Sequence, residues 1–87
     1  MSVRGEFRRL LGDLLAALRD AGLARDAERA LEPLLERAAH DLSGAAETAL
    51  ALLPQLDARD FSDGSLRRRF EDSLERLDAV CRIILGR

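Results

Sequence analysis

Apolar residues recur along the chain in alternating steps of three and four, a spacing that gathers them on one side of a helix, over three successive stretches. In the first, Val3, Phe7, Leu10, Leu11, Leu14, Leu15, Leu18 and Ala21 share a face, opposite Arg8, Arg9, Asp13, Arg19 and Asp20. The second and longest carries Ala27, Leu31, Leu34, Ala38, Leu42, Ala45, Ala49, Leu52 and Leu56. The third carries Leu66, Phe70, Leu74, Leu77, Val80, Cys81 and Ile84, widened near its end by Ile83 and Leu85. Each stripe needs a partner surface, so the pattern predicts an all-α antiparallel bundle of three helices in one domain, residues 1–87. The outer two helices, residues 3–21 and 66–85, fold against a central one within residues 24–56.

Glycine, proline and small polar residues mark the ends. Gly22 follows the last apolar residue of the first stripe, as a left-handed C′ cap does, with Leu23 placed for the accompanying hydrophobic contact. Pro33 falls inside the second stripe. It either kinks one long helix or divides it at Leu31, which would make four helices; the stripe keeps its phase across the proline, which favours the kink. Leu53 precedes Pro54, so the helix ends there. A loop then runs to about Gly64, with Ser62 as the expected N-cap of the last helix and Phe61 and Leu66 as a hydrophobic staple around it. On that helix Arg67/Glu71, Arg68/Asp72, Asp72/Arg76 and Asp78/Arg82 stand at the four-residue spacing of ion pairs.

Length changes this picture. A continuous central helix of ~30 residues spans ~45 Å against ~30 Å for its neighbours, leaving part of its face bare in a single copy. A chain of 87 residues also has a small core, so a homodimer is expected to complete it. Charge adds exclusions. The 14 basic and 16 acidic residues are interspersed, with no basic face for a phosphate backbone, so nucleic acid is not an expected partner. Every basic residue is arginine, which reads as the base composition of a bacterial genome. The single cysteine, Cys81, lies on the apolar stripe as a reduced thiol, and no run approaches the ~20 residues of a membrane span. The start, Met1-Ser2-Val3-Arg4, lacks the apolar core of a signal peptide, and a cytoplasmic location without membrane contact is expected.

Most constellations dissolve on inspection. Asp57, Asp60 and Asp63 with Gly64 suggest a calcium loop, but aligning that glycine puts Arg59, Phe61 and Phe70 at ligand positions, so these carboxylates are turn and cap residues. One cysteine and one histidine make neither a zinc site nor a nucleophilic pair, and no Glu-x-x-His spacing or glycine-rich phosphate loop occurs. No cofactor or metal is expected. His40 is the exception. At about 100° per residue it falls ~180° from Leu31, on the outer face of the central helix, where an imidazole is a competent nucleophile. Arg37 on the same face could offset phosphoryl charge, and Gly44 leaves room for a partner.

The segment Ala38-Ala39-His40-Asp41-Leu42-Ser43-Gly44-Ala45-Ala46 resembles the phosphoacceptor helix of histidine-phosphotransfer proteins, where leucine and glycine follow the histidine two and four positions on. It also resembles the dimerisation helix of sensor histidine kinases, in which an acidic residue follows the histidine. Ser43 replaces the basic residue of the first family and Ala45 the proline of the second. The resemblance implies phosphotransfer, with His40 as phosphoacceptor, Asp41 as its helper and a response-regulator receiver domain as partner. Ser62-Asp63-Gly64 with Arg69-Phe70-Glu71, Leu74-Glu75 and Ala79-Val80-Cys81 resembles the helical end of Mediator complex subunit 29, without its aromatic pair.

Two functional expectations stand side by side. One is a non-enzymatic protein–protein interaction module, an adaptor or subunit working through the apolar face of Val80, Ile83, Ile84 and Leu85. The other is phosphotransfer through His40.

Overall fold

The computed structural model describes residues 2–22 and 25–87. Among these residues five α-helical segments follow one another: α1 (Val3–Ala21), α2 (Arg25–Leu31), α3 (Pro33–Arg37), α4 (Leu42–Leu52) and α5 (Gly64–Leu85). Short 3-10 turns at Leu53–Gln55 and Ala58–Asp60 bridge α4 and α5. No strand occurs among the described residues.

Local chemistry explains where α1 starts and stops. Ser2 is extended and its Oγ accepts the Gly5 N–H at 3.0 Å, satisfying one of the donors a helix leaves free at its first turn. At the other end Gly22 sits at φ 67°, and its N–H closes on the carbonyls of Arg19 and Leu18, the expected C′ cap. The contact expected of Leu23 lies outside the described residues. Between these caps Phe7, Leu10, Leu11, Leu14, Leu15 and Leu18 are buried as their spacing predicts, joined by Ala17. Val3, expected on that face, is 44 % exposed.

The central stretch departs from the single long helix. At Pro33 the backbone stays right-handed: Glu32 keeps φ −54°, ψ −44°, and its N–H still reaches the Glu28 carbonyl at 2.8 Å. Pro33 occupies the first position of α3, where its missing N–H costs nothing, so the proline interrupts the helix for one residue. The real division comes later. After Arg37 the bonds tighten, Ala39 to Glu36 and His40 to Arg37, and Asp41 then leaves the helix at φ −142°, ψ 74° to cap α4. The stripe hides this division because Leu34 and Ala38 before it and Ala45 and Ala49 after it are all buried, each set facing the core from its own segment. The 45 Å rod is therefore absent, the longest dimension being 34 Å, and the overhang that called for a second copy disappears with it.

Four rods of alternating direction result, with α2 and α3 counting as one. Arg19 pairs with Glu28 and Glu32 beside the first turn, whereas Arg4 Nε donates to the Ala38 carbonyl at 2.9 Å, so α2–α3 runs back along α1. Arg69 meets Asp20 and Arg87 meets Glu47, which sets α5 antiparallel to both α1 and α4. The most extensive packing is α1 on α5, followed by α4 on α5. This is the up-down-up-down order of a four-helix bundle.

The cap of the last helix falls one residue later than expected, and the helix starts at Gly64, before Leu66. Asp63, not Ser62, is the cap: its Oδ1 accepts from the N–H groups of Ser65 at 2.8 Å and Leu66 at 3.1 Å. A carboxylate meets the positive helix end better than the neighbouring hydroxyl. Phe61 stays buried without the staple geometry, its ring 4.6 Å from that of Phe70. Of the four expected ion pairs on α5, Asp72/Arg76 and Asp78/Arg82 form at 3.1 and 3.0 Å. Arg67 instead donates to the Phe61 carbonyl at 2.8 Å, and neither it nor Arg68 pairs with an acid among the described residues.

Candidate functional site

His40 lies in the turn between α3 and α4 and not on the outer face of a helix, a direct consequence of the division at Asp41. It is exposed, as expected. Its backbone N–H bonds to the Arg37 carbonyl at 3.1 Å, and no described side chain hydrogen-bonds the imidazole. The residues expected to serve it are engaged with one another. Asp41 Oδ1 accepts the Gly44 N–H at 3.0 Å, and Oδ2 pairs with Arg37 Nη2 at 3.2 Å. Arg37 Nη1 also reaches Thr48 Oγ1 at 3.3 Å. The Gly44 N–H and then the Arg37 guanidinium hold the Asp41 carboxyl below its ordinary range.

Gly44 has a structural reason to be glycine. A Cβ there would stand 2.7 Å from Asp41 Cγ and 2.5 Å from Arg37 Nη2. The open backbone thus makes room for the cap and its arginine. The sequence groups these three residues around His40 but does not assign them to a helix cap, although Asp41 before an apolar residue is a helix-start signal in itself.

A second candidate lies where the start of α1 meets the end of α5. Ile83 is 68 % exposed, and with Val80, Val3 and Ser2 it lines a shallow depression rimmed by Glu6 and Arg9. Glu6 and Arg9 are ion-paired, and Arg9 also reaches Asp13 at 3.3 Å. Of the four residues expected to form one interface, Val80 and Ile83 share this depression, while Ile84 and Leu85 are half-buried against the core. Val3, which sequence periodicity assigned to the core, completes the patch.

Cys81 is buried, and desolvation, with a smaller push from Asp78, moves its thiol up to about 11, so it is a poor nucleophile. Among the described residues no group of three or more histidine, cysteine or acidic side chains could hold a metal ion. Asp57 and Asp63 cap the second 3-10 turn and α5. No described helix is long and apolar enough to cross a membrane.

Fold and surface together define an all-α helical bundle with an apolar seam between its first and last helices. No protein-family model, curated protein or solved structure matches the chain.

Proposed function

We propose that the protein is a non-enzymatic interaction module whose α1–α5 seam, centred on Ile83, binds another protein surface. The observation that carries this reading is an isoleucine two-thirds exposed beside Val3 and Val80 at the end of an otherwise well-filled bundle. A β-branched apolar side chain left in water gains by being covered, and the flanking Glu6–Arg9 pair supplies a polar rim. A second copy of the chain satisfies this seam as well as an unrelated protein, so self-association belongs to the same proposal. Ile83→Asp places a charge on the patch without touching the core, and should leave the helical circular dichroism unchanged. It should also abolish self-association in sedimentation equilibrium or the binding of any partner recovered with the native chain. If both associations survive the substitution, the seam is not the interface.

The alternative, phosphotransfer through His40, has in its favour an exposed imidazole with Asp41 close enough to feel its charge, and against it that Arg37 and Asp41 are held on each other and on Gly44.

A further inference from the structure

A different face of α5 carries a second depression. The helix α4 has 11 residues against 22 in α5, so it covers only part of that helix before the chain turns away at Leu53–Gln55. Leu53, Pro54 and Leu74 form the apolar floor of the groove left there, and Glu71, Glu75 and Asp78 line its side. These three acids fall at i, i+4 and i+7, a row of two turns and ~10 Å. They lie on nearly the opposite side of α5 from Val80 and Ile83, so the groove is independent of the seam.

The charges in this row are not balanced from within. Glu71 and Glu75 are like charges one turn apart, an arrangement that weakens a helix. Neither has an ion pair or hydrogen bond among the described residues; Arg67, the partner expected for Glu71, is spent on the Phe61 carbonyl. Asp78 alone is matched, by Arg82 at 3.0 Å. An apolar floor beside an unneutralised acidic row defines the chemistry of what fits. We propose that this groove docks a short basic amphipathic helix of a partner protein, one apolar anchor seated on Pro54 and Leu74 and arginine or lysine residues at matching three- and four-residue spacing along Glu71, Glu75 and Asp78.

The test uses the full chain, isotopically labelled, titrated with a synthetic leucine/arginine amphipathic peptide of about 15 residues, long enough to form a helix. A leucine/glutamate peptide of the same pattern is the control. Amide shifts should concentrate at Leu53, Glu71, Leu74, Glu75 and Asp78, and affinity should fall between ~0.05 M and ~0.3 M salt as exposed charges are screened. The double variant Glu71→Arg/Glu75→Arg, both sites exposed, should keep its helicity and bind at least about tenfold more weakly. Equal binding by the double variant, equal binding of the acidic peptide, or no binding of the basic peptide at about 1 mM overturns the proposal. Shifts confined to Val3, Val80 and Ile83 overturn it too while supporting the seam. A dimer of the native chain that the double variant dissolves would make a second copy the occupant and refute a separate basic helix.

Discussion

Replacing Gly44 with alanine tests whether the turn at His40 is built as described. In an ordinary helix the change stabilises by about 0.5–1 kcal/mol, since alanine has less backbone freedom to lose. Here the new methyl would stand 2.7 Å from Asp41 Cγ and 2.5 Å from Arg37 Nη2, closer than carbon atoms tolerate. The arginine end can swing aside, but the short aspartate side chain must rotate away as a whole. It would then surrender both the Gly44 N–H and the Arg37 pair, losses of the same order as the gain from alanine. Gly44→Ala in the native background should therefore be neutral or destabilising. In an Asp41→Ala background the obstacle is gone, and the same substitution should return its full stabilisation of about 0.5–1 kcal/mol. Urea unfolding followed by circular dichroism for the four proteins of this cycle gives the coupling directly. Effects that add within about 0.3–0.5 kcal/mol would refute the steric argument. Protonation offers an independent check on the same cluster. Asp41 is depressed in the folded state relative to its ordinary 3.8, so its contribution is present above that value and fades as pH falls through the lower, folded one. The coupling should shrink over that acidic window and stay constant at neutral pH.

Three further outcomes follow from the core. Phe70 is fully buried against Phe61, so Phe70→Ala should cost about 3–5 kcal/mol in urea unfolding, and a loss below about 1 kcal/mol would mean the ring pair is not a core contact. Cys81, with its thiol raised from 9.0 to about 11, should react with a disulfide reagent near pH 8 at least about a hundredfold more slowly in the folded protein than in the unfolded one. Because the folded state holds this thiol protonated, stability should decline as pH rises from about 9 toward 11. A folded-state rate equal to the unfolded rate would refute the burial.

What the sequence made legible was burial, and what it concealed was direction. A stripe reports which residues face the core but not whether the chain that carries it continues or turns back. Leu34, Ala38, Ala45 and Ala49 are buried on both sides of Asp41, so the periodicity reads the same for one straight helix and for two segments that meet at a capped turn. Pro33 drew attention as the obvious breaker, yet it sits at a first helical position where proline is tolerated, and the weaker signal of an aspartate cap made the division. The same competition moved the cap of α5 from Ser62 to Asp63, since neighbouring residues both offer caps and the carboxylate suits the positive helix end better. Local spacing likewise predicted Arg67 beside Glu71, but a carbonyl six residues back took the guanidinium.

That last exchange links fold to function. An arginine recruited to tie the Phe61 loop onto α5 leaves an acid behind on the neighbouring turn. The short α4 leaves the apolar ground beside that acid uncovered, so groove and unbalanced charge arise from separate accidents of the fold. The turn at His40 shows the reverse case: charged residues that look like catalytic neighbours in the sequence are consumed in holding the chain's change of direction. In a bundle this small, an ionic side chain that serves the backbone is withdrawn from the surface chemistry its spacing suggests. The residues worth testing for recognition therefore include Glu71 and Glu75, which have no ion pair among the described residues, on one face of α5, and the exposed Ile83 on the other.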